Sequence, residues 1–104
     1  MGRGKKDDVG KLRYSLIPPI ATRALATVLT FGAKKYEPNN WQKVENAEER
    51  YMDALYRHLE AYRDDEILDD ESHLPHLWHA LTNLVFLIWF QDEPCDIDLN
   101  LDDY

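Results

Sequence analysis

The C-terminal part of the chain contains a segment, from about Ser72 or Pro75 to Phe90, that is predicted to be a helix with apolar residues on nearly every side. Its apolar positions are Leu74, Leu77, Trp78, Leu81, Leu84, Val85, Leu87 and Ile88. A helix of this kind is usually enclosed on every side by other protein. Because the chain has only 104 residues, its other helices are too few to enclose this one. We therefore expect a small all-α domain that self-associates into a helical oligomer.

Two more helices are predicted upstream of this one. The first begins at Pro18-Pro19, because proline suits the first helical turn, and Gly32 either ends it or kinks it. The second begins near Asn46, which stands in a capping-box arrangement with Glu49. The pattern predicts a domain of three or four helices.

Charged residues divide the chain into a basic and an acidic part. Residues 1–63 hold all 12 Lys and Arg with 8 acidic residues, and residues 64–104 hold 12 acidic residues and no basic one. This division suggests a site for an anionic ligand in the first part, and a cation site or a solvated acidic surface in the second. We expect a basic N-terminal arm at 1–17, a helical ligand-binding domain at 18–90 and an acidic tail at 91–104. The tail is either a short extended strand on a partner or disordered.

The composition also limits the partners and the compartment. The net charge of −8 argues against nucleic-acid polymers as partners. A single cysteine, Cys95, excludes an intramolecular disulfide and fits a reducing compartment. The N-terminus has no signal-peptide pattern, and the longest apolar run, Leu84 to Phe90, is too short to span a bilayer. We expect a cytoplasmic protein with no membrane partner.

Three polar side chains, His76, His79 and Asn83, share one face of the apolar helix. Burying them costs free energy unless each finds a partner. They either bond the polar stripe of the second helix or form a ligand or metal site. The acidic run before this helix also allows two interpretations: carboxylates that bind Mg²⁺ or Mn²⁺, or acids that complement the helix dipole while Ser72 caps the helix.

Basic and aromatic residues are interleaved after the first helix, at Lys34-Lys35-Tyr36 and Asn40-Trp41. The lysines suit phosphates, the aromatic rings suit stacking on a base, and the amide suits a base edge. The alternative is a basic helix end with a turn, in which Trp41 plugs the core. Further cations that either converge on an anion or pair with acids on their own helix are Lys11, Arg13, Arg50 and Arg57.

The order of motifs over residues 7–90 is specific. The motifs are Asp8-Val-Gly10-Lys11-Leu-Arg13, Leu16-Ile17-Pro18-Pro19, Val28-Leu-Thr30-Phe-Gly32-Ala-Lys34-Lys35-Tyr36, Asn40-Trp41, Arg57-His58-Leu59, Asp70-Glu71-Ser72 and His76-Leu-Trp-His79-Ala-Leu-Thr-Asn83. This order resembles the N-terminal domain of phage and bacterial dATP/dGTP diphosphohydrolases. That family is similar to the MazG-like all-α pyrophosphohydrolases, helical oligomers that use carboxylates and Mg²⁺ to cleave a nucleoside triphosphate to monophosphate and pyrophosphate.

The resemblance implies a nucleotide site with residues in separate roles. It implies phosphate contacts by Lys11, Arg13, Lys34, Lys35 and Arg57. It implies base or sugar contacts by Tyr36, Asn40 and Trp41. Further ligand-binding candidates are His58, His76, His79 and Asn83. It makes Asp70, Glu71, His76 and His79 candidates for a polar or metal site. If the protein is a hydrolase, we expect the catalytic carboxylates that hold Mg²⁺ or Mn²⁺ to be Glu66, Asp70 and Glu71, and the first of these is taken from the acidic run.

The sequence departs from the family pattern at the catalytic carboxylates. A MazG-like site has two carboxylate pairs on facing helices, whereas the third helix here offers His76 and His79. His73 also stands where the family is expected to have glycine. The resemblance therefore implies nucleotide binding more strongly than hydrolysis, since a fold does not fix a function.

Three functions compete on this evidence. The first is a metal-dependent hydrolase of purine (deoxy)nucleoside triphosphates. The second is a phage sponge, which would sequester a cyclic-nucleotide or related immune signal without metal or catalysis. The third is a structural or regulatory oligomer whose polar stripes are interface networks.

Overall fold

The computed structural model describes residues 4–91, and these fold as three α-helices. Helix α1 spans Pro19–Lys35, α2 spans Ala47–Arg63 and α3 spans His76–Phe90, with short 3-10 turns at Tyr14–Leu16 and Asn40–Lys43. Within residues 4–91 there is no strand, so the expected all-α class is confirmed. The alternatives given for the acidic tail fall on residues 92–104, which lie outside the described residues.

The prolines start the helices where the sequence predicts. Pro18 takes a φ of −65° in the extended region, and Pro19 opens α1. Pro75 has the same role before α3, with a φ of −56°. Gly32 neither ends nor interrupts α1, which continues to Lys35, and its carbonyl accepts the N–H of Tyr36 at the helix end.

The capping box predicted at Asn46 is wrong, although Asn46 does precede α2 directly. Its backbone is left-handed, with φ 54° and ψ 39°, and its side chain makes no capping hydrogen bond. A capping side chain needs an extended backbone to reach the amides of the first turn, and the left-handed turn removes that reach. The dipole of α2 is still complemented by Glu48 and Glu49 in the first turn.

The core lies between α2 and α3, which make the most extensive helix packing in the molecule. Leu55 of α2 and Ala80 of α3 are buried there, while α1 packs on α3 and buries Ala24 and Val28. The most buried side chain is Thr82, whose hydroxyl donates to the carbonyl of Trp78 one turn earlier. A core of such small residues brings the helices close together and leaves little apolar volume.

The residues that the structure describes, 4–91, do not enclose the apolar third helix. Leu77, Leu84, Ile88 and Trp89 are 42%, 46%, 65% and 52% exposed. The described residues therefore leave part of the apolar surface of α3 uncovered, as the small number of helices predicts, and self-association stays a prediction. None of the helices in the described part of the chain has the length and apolarity needed to cross a bilayer.

The loop between α2 and α3 is folded back on itself. Leu68 pairs with Pro75 in an isolated antiparallel bridge, and the N–H of Asp69 donates to the carbonyl of Leu74 at 2.8 Å. The N–H of His76 donates to the carbonyl of Ile67, also at 2.8 Å. These bonds bring the acidic residues of the loop against the first turn of α3.

Candidate functional site

A cluster of histidines and carboxylates lies where the loop meets α2 and α3. His58 comes from α2, Asp69 from the loop and His76 from α3. The Nδ1 atoms of His58 and His76 lie 2.8 Å apart. One ligand atom from each of the three residues lies within 4.8 Å of the others. Among residues 4–91 this is the group with the spacing of a metal-ligand set.

Glu66 and Ser72 orient the two histidines of α3. Glu66 Oε2 lies 2.7 Å from Nε2 of His76, whose side chain is only 6% exposed. Ser72 Oγ lies 2.6 Å from Nε2 of His79 and accepts the N–H of Leu74. Ser72 therefore does not cap α3 but holds His79. His76 and His79 of the polar stripe thus find partners in α2 and in the loop.

Asp69 is the centre of the loop's own hydrogen bonding. Its Oδ2 accepts the backbone N–H groups of Glu71 and Ser72 and lies 4.0 Å from Nε2 of His79. Burial opposes ionisation of Asp69, but the hydrogen bonds from Ser72 together with the charges of His79 and His58 outweigh it and hold the pKa of Asp69 below its usual value. Asp69 is thus an anion that faces the histidines.

Two of the histidines, His58 and His79, are held toward their neutral forms. Burial, followed by the charge of His79, lowers the pKa of His58 to about 4, although Asp69 acts in the opposite direction. Burial likewise lowers the pKa of His79, whose ring stacks on that of His58 at 4.6 Å and 9°. A neutral imidazole keeps a nitrogen lone pair, which a metal ion or a proton donor requires.

A groove of about 920 Å³ runs beside this cluster. The end of α1, the Glu37–Trp41 loop and α2 line it, and His79 joins it to the histidine cluster. The cationic side chains that line it are Lys34, Lys35, Arg50 and Arg57. Its carboxylates are Glu37 and Asp53, so the lining carries more positive than negative charge in a chain whose net charge is −8.

The structure brings several predicted ligand contacts to this groove. Tyr36, Asn40 and Trp41 line it together with the lysines of α1 and with Arg57. Trp41 also stacks on Phe86 at 4.4 Å, so its packing corresponds to the core-plug alternative. The assignment of Trp41 as a base contact stays a prediction.

Other predicted site residues lie elsewhere. Lys11 and Arg13 lie on the exposed arm and do not line the groove. His58 and His76 belong to the cluster, and Asn83 donates to the carbonyl of His79 on its own helix.

The three predicted catalytic and metal-binding carboxylates do not converge. Glu66 bonds His76, and Glu71 forms an ion pair with Lys35 at 2.7 Å. Asp70 is exposed on the loop, and none of the three lines the groove. Their assignment stays a prediction.

Two residues of the site were not assigned to it from the sequence. In the sequence Asp69 is one acid among several in the acidic run, and Ser72 is a candidate helix cap in one of the two interpretations of that run. An Asp followed three residues later by Ser is typical of a turn in which the carboxylate accepts backbone amides. That spacing was the available signal for both residues.

Comparison with known proteins gives a consistent result. The family described as "dATP/dGTP diphosphohydrolase, N-terminal" matches residues 1–100. A curated protein of Salmonella phage PMBT28, named dATP/dGTP diphosphohydrolase, is 41% identical over 86 residues. That match covers 83% of this chain but only 29% of the relative, so the chain spans less than a third of the relative's length. No solved structure matches. With this match over nearly its whole length, the chain belongs to the dATP/dGTP diphosphohydrolase N-terminal family.

Proposed function

We propose that the groove binds a purine deoxynucleoside triphosphate and that the protein acts as a nucleoside triphosphate pyrophosphohydrolase. The observation that carries the proposal is the charge of the groove, which has four cationic side chains against two carboxylates in an acidic chain. A concave site lined by one sign of charge concentrates ligands of the opposite sign. A triphosphate has the charge density that such a lining favours.

The groove also offers groups for the nucleoside. Tyr36 is 63% exposed, with the Lys35 ammonium 5.2 Å from the centre of its ring, and we propose that the ring stacks on the base. Asn40 supplies an amide that both donates and accepts, as a purine edge requires. Arg57 is suited to grip a phosphate with two parallel N–H bonds. We propose phosphates toward the cations and the base toward Tyr36 and Asn40.

The hydrolytic part of the proposal draws on the family. The phage relative is named for dATP and dGTP. This chain matches the N-terminal family of the dATP/dGTP diphosphohydrolases. Dependence on Mg²⁺ or Mn²⁺ belongs to this proposal. However, Mg²⁺ takes oxygen ligands, and the carboxylates Glu66, Asp70 and Glu71 do not converge. We therefore derive no step through Mg²⁺ and assign the groove residues to binding and charge neutralisation.

A second candidate is the sponge, a phage protein that sequesters a cyclic nucleotide or a related immune signal. It is favoured by one observation: the predicted catalytic carboxylates lie outside the groove, whereas the cations and aromatic rings line it. Binding of a nucleotide needs only the cations and the aromatic rings of the groove. A structural or regulatory oligomer is the third candidate, and it would leave the charged groove without a ligand.

Product analysis separates these candidates. The purified chain is incubated with the four deoxynucleoside triphosphates and with cyclic nucleotides, with Mg²⁺ or Mn²⁺, and products are resolved by chromatography. We expect dATP and dGTP to yield the monophosphate and pyrophosphate. A nucleotide that binds but is recovered unchanged after heat denaturation of the protein would favour the sponge. The absence of both binding and turnover would leave the structural oligomer.

A further inference from the structure

We infer that His58, His76 and Asp69 form a binding site for one divalent transition-metal ion, and that Glu66 is the positioning residue for His76. The three ligands come from α2, from α3 and from the loop between them. An ion at this point would therefore connect all three elements. This inference is independent of the nucleotide function, because it concerns a cluster beside the groove and not the groove itself.

The spacing of the ligand atoms suits an ion after a small adjustment. Nδ1 of His58 and Nδ1 of His76 lie 2.8 Å apart, and an Asp69 oxygen lies within 4.8 Å of both. Zinc–nitrogen bonds of about 2.0–2.1 Å in a tetrahedral site place two ligand atoms about 3.3 Å apart. The two imidazoles thus need to separate only slightly to admit an ion. Without an ion, the same two atoms share a hydrogen bond.

Glu66 determines which nitrogen of His76 faces the site. Its carboxylate accepts a hydrogen bond from Nε2–H of His76 at 2.7 Å. In a neutral imidazole the other nitrogen, Nδ1, then carries a lone pair, and this is the atom that faces His58. Metal-binding histidines commonly donate their second N–H to a carboxylate, which fixes the tautomer and the ring orientation.

The donor set selects the class of metal. Two imidazole nitrogens and one carboxylate oxygen suit zinc, cobalt, iron, nickel or manganese, whereas Mg²⁺ and Ca²⁺ prefer all-oxygen sets. Both backbone bonds to Asp69 fall on Oδ2, so Oδ1 can bind an ion while the turn stays intact. A set of three protein ligands leaves a coordination position of a zinc-type ion open for water or another ligand.

The test uses the tag-free full chain and cobalt alone. The protein is stripped with a chelator and titrated with Co²⁺ by calorimetry and visible absorption, without nucleotide. We expect one Co²⁺ per chain, ligand-field bands of a nitrogen-coordinated ion, and a higher Tm with Co²⁺ or Zn²⁺. Asp69→Asn and His76→Ala should each weaken binding at least about 10-fold, and Glu66→Gln about 10- to 100-fold.

Two controls locate the ion. His73→Ala removes an exposed histidine of the same loop and should leave Co²⁺ affinity unchanged. The double variant Asp70→Asn/Glu71→Gln should also retain the ion, and loss of Co²⁺ there would overturn the inference in favour of the acidic loop. Absence of Co²⁺ binding by the folded wild type, or unchanged binding by Asp69→Asn, would equally overturn it. If circular dichroism shows that His76→Ala does not fold, Asp69→Asn and Glu66→Gln decide the outcome.

Discussion

Nε2 of His76 lies 2.7 Å from Oε2 of Glu66, and this contact joins the first turn of α3 to the loop that precedes it. His76 is almost fully buried, whereas the Glu66 side chain is about half exposed, so the carboxylate remains hydrated while it satisfies a buried ring. On its other side the ring of His76 meets His58 of α2. His76 thereby connects α2, α3 and the loop between them, and the loop contributes side chains to the site.

The loop contains a second feature that leads to a stability prediction. His73 has a φ of 60°, in the left-handed region that favours glycine. At this φ a non-glycine residue costs roughly 1–2 kcal/mol relative to glycine. Replacement by glycine removes this cost, but the greater freedom of glycine in the unfolded chain offsets about 0.5–1 kcal/mol of the stabilisation. His73→Gly should therefore raise the free energy of unfolding by about 0.5–1 kcal/mol.

The measurement for His73 is denaturant unfolding followed by circular dichroism. His73→Ala is the matched control, because it removes the imidazole but keeps a Cβ at the positive φ, and it should leave stability near that of the wild type. If His73→Gly and His73→Ala stabilise the protein equally, removal of the imidazole, and not relief of backbone strain, causes the change in the free energy of unfolding.

Acid should destabilise the protein through two half-buried histidines, His58 and His79. The pKa of His58 is lowered to about 4, mainly by burial, and that of His79 is lowered for the same reason. The groups that face His58 are His79, Asp69, His76 and Arg57. Between pH 6.5 and 4 the unfolded chain binds more protons than the folded one, so stability should fall as pH falls through this window.

Stability against pH should be measured in chelator, so that metal release does not contribute. His58→Gln removes the principal titrating group and should flatten the slope between pH 6.5 and 4. A wild-type stability that is constant across this window would contradict the structure around His58.

The sequence predicted the helices well where the cause is local. Pro18-Pro19 and Pro75 mark helix starts because proline fixes its own backbone angle, and α1 and α3 begin beside them. The capping box at Asn46 failed because the backbone there is left-handed, which the residue types do not reveal. The contact between the rings of His58 and His76 depends on how α2 packs on α3. The position of the Asp69 carboxylate depends on the turn in which it accepts the N–H of Ser72. Such relationships come from tertiary packing, so spacing along one helix could not predict them.

The ion pair between Lys35 and Glu71 gives a prediction about nucleotide affinity. The hydrogen bond that Lys35 donates to the Glu71 carboxylate is the main reason that the pKa of Lys35 is raised, and Lys35 also lines the groove. Glu71→Gln should free this lysine for phosphate and increase dATP affinity about two- to tenfold at low salt, with less effect at high salt. Stability should change by less than about 1 kcal/mol, because both side chains are exposed.

Glu71→Gln is best assayed for binding and turnover together. Glu60→Gln serves as a control, because Glu60 forms an ion pair with Arg63 and neither residue lines the groove. If Glu71 is instead a catalytic carboxylate, as the family resemblance implies, its variant will bind dATP but lose turnover. A decrease in dATP affinity would contradict the arrangement described for Lys35.

The exposed apolar side chains of α3 predict an oligomer. Ile88 and Trp89, at the end of the helix, are 65% and 52% exposed. A charged side chain introduced at either position would be well hydrated in a monomer. Light scattering should show that the wild type is larger than a monomer. Ile88→Glu should reduce the mass without loss of helix content, whereas Glu48→Gln, an exposed change on α2, should not. A monodisperse monomer of the wild type would contradict the prediction.

The central claim is that the groove binds a purine deoxynucleoside triphosphate, and equilibrium binding of dATP and dGTP to Arg57→Gln and Arg63→Gln tests it most directly. Both arginines are exposed on α2, but Arg57 lines the groove whereas Arg63 pairs with Glu60 outside it. We predict that Arg57→Gln weakens binding at least about tenfold, as expected for loss of a charge-assisted contact, while Arg63→Gln stays within about twofold of the wild type. Equal affinities for the two variants, or no binding of either nucleotide to the wild type, would contradict the claim.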